Sequence, residues 1–194
     1  MQIRRAQPSD AAFIADTYRP FVVGTSISFE TTAPDASDIQ TRMHAAGDSY
    51  PWLIAENDGM QLGYAYASQH RTRAAYATSV DTAIYLAEMA RGQGVALALY
   101  SALFRVLSAQ HFVMAFAGVT LPNPASEAFH RKAGFEQIAQ YPNVGFKYGA
   151  WRDVVWFARA LDDAANPPSP ILSLNEIDVM AEIRTDDRSK QRAR

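Results

Sequence analysis

The chain has 194 residues, 48% of them hydrophobic and 20% charged, which is enough apolar material for one sizeable core at a length suited to one domain. Net charge is -2, and residues 1–161 hold thirteen acids and thirteen bases, so no basic stripe is present to displace counterions and no nucleic-acid partner is expected. Cysteine is absent, which excludes disulfides, thiolate metal sites and any route through an acylated cysteine.

From the amino terminus, Arg4, Arg5, Pro8 and Asp10 precede any apolar stretch, an order unlike that of a secretory signal, and the expected location is the cytoplasm. Ser9-Asp10 then offers a cap to a first helix starting near Asp10, with Phe13, Ile14 and Tyr18 on one face. Residues 24–34, rich in Ser and Thr, form a connection that contains Phe29, and Pro34-Asp35 turns into a second helix over Ile39–Ala46. Trp52–Glu56 and Leu62–Ala67 read as two strands joined through Asn57-Asp58-Gly59, whose Asp-Gly pair tolerates positive φ.

A strand over Val80–Ala87 and a helix over Leu97–Ala109 follow, the helix marked by Leu99, Leu103 and Leu107 at four-residue spacing. Next come a strand over Phe112–Val119, a helix over Ser126–Ala133 stopped by Gly134, and closing strands near Phe135–Ala139 and Val154–Ala160. The most apolar run, Val95–Phe104, falls well short of the roughly 20 residues a bilayer span needs, so no membrane partner is expected. The pattern is mixed α/β around one sheet. Residues 162–194, with Pro167, Pro168 and Pro170 followed by a charged end, read as a linker and a disordered tail, against the alternative of a short helix within Ile171–Ile183.

The chemistry concentrates at Arg91-Gly92-Gln93-Gly94-Val95-Ala96, between a strand and a helix. Small residues there let backbone N–H groups approach a phosphate, and the helix N-terminus favours the anion. No Gly-Lys-Ser/Thr follows and no G-x-G-x-x-G opens the helix, so neither a P-loop nor a dinucleotide fingerprint is present. No paired histidines stand at metal-ligand spacing and no Gly-x-Ser-x-Gly elbow occurs, so no metal is expected and a serine nucleophile is disfavoured.

Arg91-x-x-Gly94-x-Ala96 resembles the pyrophosphate signature of GNAT acetyltransferases. Tyr50–Glu56, Gly63–Ala67, Leu121-Pro122-Asn123, His130 with Gly134-Phe135, and Gly145–Val154 resemble, in order and spacing, the phosphinothricin and methionine sulfoximine N-acetyltransferases. The resemblance covers about residues 2–160 and implies a GNAT domain over residues 1–161. Its fold would be a three-layer α-β-α sandwich around one mixed, mostly antiparallel sheet. It implies acetyl-CoA as co-substrate, with Ile84, Tyr85 and Leu86 along the pantetheine arm, Arg91, Gly92, Gln93, Gly94, Val95 and Ala96 around the pyrophosphate, and Asn123 near the reactive end.

Acetylating an amine requires an unprotonated nitrogen and a proton for the departing thiolate. Asp81 aligns with the family's carboxylate, usually Glu, and is one methylene shorter; as base it would act directly or through water. Ala83 stands where relatives often carry a hydroxyl. His130 aligns with the tyrosine that protonates the thiolate in many relatives, giving it the role of proton donor or positioning group. His44, His70 and His111 gain no support from the resemblance. Arg71, Arg73 and Tyr76 lie where relatives bind the acceptor, and guanidinium groups suit carboxylate, phosphinate or sulfoximine oxygens. Phe29 and residues 147–151 are further pocket candidates, completed across a homodimer interface in the family. The expected acceptor is a small amino-acid analogue. A polyamine, an aminoglycoside, a peptide N-terminus, or a non-catalytic acyl-CoA sensor remain alternatives.

Overall fold

A computed structural model describes residues 1–184. In chain order the elements are β1 (Gln2–Arg5), α1 (Ala11–Val23), α2 (Ala36–Ala46), β2 (Trp52–Asn57), β3 (Met60–Gln69), β4 (Ser79–Leu86), α3 (Val95–Ala109), β5 (Met114–Thr120), α4 (Pro124–Lys132), β6 (Glu136–Lys147), β7 (Ala150–Ala160) and α5 (Val179–Arg184). The strands form one seven-stranded sheet in the order β1-β2-β3-β4-β5-β7-β6. Every pairing is antiparallel except β4 with β5.

Alternation along β2 explains why its apolar run is continuous, because both faces of the sheet are covered. Trp52 and Ile54 pack with Ile14, Val22 and Ile39 of the first two helices, whereas Leu53 and Ala55 pack with Leu99, Leu103 and Leu107 of α3 on the opposite face. Leu99, Leu103 and Leu107 are fully buried, and burial of each stabilises the fold by about 1.5–3 kcal/mol. Asp35 and Asp38 cap α2 reciprocally, each side chain accepting from the other's backbone N–H, so that helix begins three residues before Ile39.

β1 carries little sequence signal, being four residues with two arginines. It joins the sheet edge opposite Leu53–Glu56. Arg4 is then placed to make a bidentate pair with Asp10, at 2.7 and 2.9 Å, and a third bond to Glu56 at 2.9 Å. The last two strands run longer than expected, as a hairpin whose β6 forms the other sheet edge.

The expected tail departs from the sequence reading over residues 171–184. Leu174 and Ile183 are buried in the α3-side core, with Ile171 and Ile177 packed beside them. Arg105 of α3 donates to the Glu182 and Ile183 carbonyls, and the Gln110 amide donates to Leu172 O and Ser49 O. With Val179 and Met180, Ile171, Leu174, Ile177 and Ile183 make six apolar side chains over thirteen residues, enough to fasten a segment that composition alone marks as a tail. Residues 185–194, the remainder of that expectation, lie outside the described residues.

Candidate functional site

The parallel pair β4 and β5 stays in register only over Ser79–Asp81 and Met114–Phe116. Beyond Asp81, β4 continues to Leu86 along β3 while β5 turns to pair with β7, and the two strands separate. Ala87 N–H donates to Leu62 O at 2.9 Å. The two-residue alternation of an antiparallel pair then turns the backbone groups of Tyr85 and Ala83 towards β3 and those of Ile84 and Leu86 towards the gap. Of the three residues expected along the pantetheine arm, Ile84 and Leu86 therefore offer a free backbone edge. Tyr85 instead packs its ring edge-on against Tyr18 and Phe21 of α1.

At the open end of the gap, Gly92 and Gly94 adopt φ of 75° and 82°, the left-handed region that favours glycine. Gly94 precedes α3, whose first internal hydrogen bond runs from Ala98 N–H to Gly94 O at 3.2 Å. No side chain caps this helix and its first turn holds no acid. The N–H groups of Val95, Ala96 and Leu97 thus point outward beside a 15-residue helix dipole. A Cβ at either glycine would meet nothing within 4 Å, so the concavity is open. Gln93 folds back to donate to Met89 O, and the Arg91 guanidinium lies 5.5 Å from the Phe21 ring. Free amides at one end and a free strand edge along the gap fit a pyrophosphate carrying an extended amide-bearing arm.

The other face of β4 and β5 carries acidic and aromatic groups. Asp81 Oδ1 lies 2.6 Å from Nδ1 of His70, and the imidazole stacks on Phe116 with ring centroids 4.4 Å apart. Burial pushes the Asp81 carboxyl up from its ordinary value, opposed by the hydrogen bond and charge of His70 and by Arg71. Trp156 stands edge-on to His70 at 6.3 Å, and the Arg71 guanidinium lies 5.9 Å above the Trp156 ring. Tyr76 meets His70 edge-on at 6.0 Å. Arg71, Tyr76 and Asp81 are thus brought together, whereas exposed Arg73 contributes its carbonyl to a turn with Tyr76 N–H.

Opposite this cluster, the 24–34 connection is fixed by Lys147. Its Nζ donates to the carbonyls of Val22, Ser28 and Glu30 at 2.7–2.8 Å. Glu30 is further held by both guanidinium nitrogens of Arg42 and by the Tyr18 hydroxyl. The Phe29 ring packs directly on Gly145 of β6, leaving no room there for a Cβ, and Thr120 of β5 donates to Ile27 O. Phe29 therefore lies against β6, 38% exposed.

Asn123 caps α4, its Oδ1 accepting from Ser126 N–H at 3.2 Å, which leaves its amide N–H₂ to donate elsewhere. His130 is only 5% exposed, ringed by Tyr100, Phe129, Phe135 and Phe157. Its Nδ1 bonds Ser126 O at 2.8 Å, so Nε2 is left to face the Tyr100 hydroxyl at 3.4 Å, and burial holds its pKa below the ordinary value. A cleft of about 550 Å³ lies along α3, walled by Tyr100, Gly134, Arg159 and Glu182, and so borders the same Tyr100 that faces His130.

Sequence reasoning passed over His70 and Trp156. The signal for His70 lay in its spacing: Ser68 pairs with Asp81 across β3 and β4, so a residue just beyond β3 falls beside that carboxylate. Among the described residues, no group of three or more His, Cys, Asp or Glu is placed to hold a metal, and no helix is long and apolar enough to cross a membrane.

A splayed parallel pair with a free strand edge, leading to an uncapped glycine-preceded helix and backed by an acid–imidazole pair, defines an acyl-CoA-type transferase. A family model described as "Acetyltransferase (GNAT) domain" matches residues 3–156, and the chain belongs to that family of acetyl-CoA-dependent N-acetyltransferases. It is 36% identical to a phosphinothricin N-acetyltransferase of Streptomyces coelicolor, over 83% of this chain and 96% of the relative. It is 32% identical to an L-methionine sulfoximine/L-methionine sulfone acetyltransferase of Pseudomonas paraeruginosa, over 86% and 98%. A solved phosphinothricin acetyltransferase of Sinorhizobium meliloti, in complex with AcCoA, superposes with a TM-score of 0.80 at 34% identity, covering 87% of this chain and 92% of that one.

Proposed function

We propose that the protein transfers the acetyl group of acetyl-CoA to the α-amino group of a small amino-acid analogue, directly within a ternary complex, in the cytoplasm. The observation that carries this reading is the placement of Arg71, Trp156 and the Asp81–His70 pair on one face of the splayed strands, at the closed end of the gap. Arg71 gives an oxyanion of phosphinate, sulfoximine or carboxylate type a partner. Cationic polyamines and aminoglycosides would want acidic walls there instead. The names of the relatives point the same way.

In this reading Ile84 and Leu86 lend backbone groups to the pantetheine arm. Residues 91–96 hold the pyrophosphate, and the Asn123 amide donates near the thioester. Asp81 belongs to the base that removes the ammonium proton. His130, sealed among aromatic rings, acts by positioning Tyr100 and the start of α4. Phe29, Arg71 and Tyr76 border the acceptor, with Arg73 at the rim.

The β6–β7 hairpin supports a homodimer. Phe146 and Trp151 are 60% and 62% exposed on a sheet-edge hairpin, with Val144 and Tyr148 beside them, and long apolar edges of this kind invite pairing.

Thiol release from acetyl-CoA, measured across amino-acid analogues, polyamines, aminoglycosides and peptides, tests the reading. Acceptor-dependent release is expected with the amino-acid analogues. Preferential turnover of a polycation overturns the acceptor class, and cofactor binding without release from any amine overturns the activity. Asp81→Asn should lower kcat/KM by about 100-fold or more, the usual contribution of a positioned base, with acetyl-CoA binding unchanged.

A further inference from the structure

We infer that His70 is the residue that takes the proton from the acceptor ammonium, through Nε2, and that Asp81 serves as the group that orients it. The inference rests on the acetyltransferase activity proposed above and assigns its base to an atom.

An ionised carboxylate can only accept hydrogen bonds, so the 2.6 Å contact with Asp81 Oδ1 places the proton on Nδ1 of His70 and the lone pair on Nε2. The ring is held in plane from one side by Phe116, at 4.4 Å and 17° between planes. Nε2 makes no hydrogen bond among the described residues, yet it is not one of the fully buried atoms left without a partner. It is therefore open to an incoming ligand. Asp81 is the shorter carboxylate and already spends one oxygen on His70. Its paired neighbour Phe116 marks the last contact before β4 and β5 part, so the imidazole extends the base from the apex of the gap over the acceptor face.

The groups that border the ring agree with this role. Trp156 and Tyr76 meet it edge-on and place neither a carboxylate nor an amine beside it. Arg71, the cation bordering it among the described residues, donates to the His70 carbonyl at 2.8 Å. An amino acid whose acidic group faces Arg71 would bring its ammonium into the neighbourhood of Nε2. In the step itself, one N–H bond of the ammonium breaks and an N–H bond forms at Nε2. The lone pair remains on the acceptor nitrogen, and the imidazolium, stabilised by Asp81, returns its proton to water.

Two readouts on the full chain test this. Nitrogen-15 NMR of the imidazoles, without acetyl-CoA, should show His70 protonated at Nδ1 with a free Nε2, and Asp81→Asn should convert that signal to a mixture of tautomers. In turnover, His70→Gln keeps a hydrogen-bonding amide and should lose about 100-fold or more in kcat, with KM for acetyl-CoA changed less than about threefold. Added imidazole should restore part of the loss in His70→Ala, a response that a purely structural histidine would not give. If the proton of wild-type His70 resides on Nε2, or if His70→Gln keeps kcat within about threefold while Asp81→Asn is inactive, the assignment is overturned and Asp81 alone is the base. If the wild type binds acetyl-CoA but releases thiol with no amine, the acetyltransferase reading falls and takes the base with it, whatever the tautomer.

Discussion

Replacing Gly94 by Ala isolates the conformational demand of the phosphate loop. At φ 82° an L side chain is strained by about 1–2 kcal/mol, and since nothing lies within 4 Å of the new Cβ, no steric clash adds to that cost. The free energy has two places to appear. If the loop keeps its shape, stability falls by the full amount, and for a chain of this length about 1 kcal/mol corresponds to a shift of about 2–4 °C in Tm. If the loop relaxes, Tm is preserved and the amides of Val95, Ala96 and Leu97 lose their common aim, weakening acetyl-CoA by about 5–30-fold. Thermal denaturation and calorimetric titration of acetyl-CoA, run on the same preparation, report both shares. Gly94→Asn should recover part of the loss, because Asn enters the left-handed region more readily than Ala. An Ala variant unchanged in both Tm and affinity, or an Asn variant worse than Ala, would refute the reasoning.

Three further outcomes are expected. Burial opposes ionisation of Asp10, but Arg4, the Gln7 N–H and the Gln61 amide outweigh it and hold its carboxyl below the ordinary value; the resulting stability is present above about pH 4 and lost as pH falls through the folded-state pKa, so urea midpoints taken from pH 6 to pH 3 should drop, and drop less steeply in Asp10→Asn. Leu174→Ala, at a residue 3% exposed, should cost about 2–5 kcal/mol by equilibrium unfolding, whereas a segment that merely trails from the body would register almost nothing. Phe146→Ser with Trp151→Ser should shift the mass measured by light scattering from dimer towards monomer while leaving the far-ultraviolet circular dichroism spectrum in place.

The parts of this molecule that were legible in its sequence are those encoded within one element. The leucines of α3 repeat every four residues because one face of that helix meets the sheet, and two glycines before it mark a backbone that must turn left-handed. β1 escaped notice because its arginines point to partners contributed from elsewhere, Arg4 to Asp10 and Glu56 and Arg5 to Asp48, and four residues carry no usable period. Residues 171–184 escaped for a related reason, since their anchors are apolar side chains interrupted by polar and acidic residues after a proline-rich stretch, and only α3 reveals where they bind.

The candidate site divides along the same line. The residues proposed for its cofactor half, Asn123 apart, fall within one short stretch, 84–96, where the glycines and the helix start stand next to one another in the chain. Its acceptor half is assembled by register, with Ser68 opposite Asp81 and Gly118 opposite Trp156, so groups remote in sequence meet only once the strands are paired. His70 shows the consequence most clearly. In the sequence it is a lone histidine ahead of two arginines, and the short carboxylate at position 81 reads as a weakened base. In the fold the same two residues touch at 2.6 Å, a contact that no spacing within either strand announces.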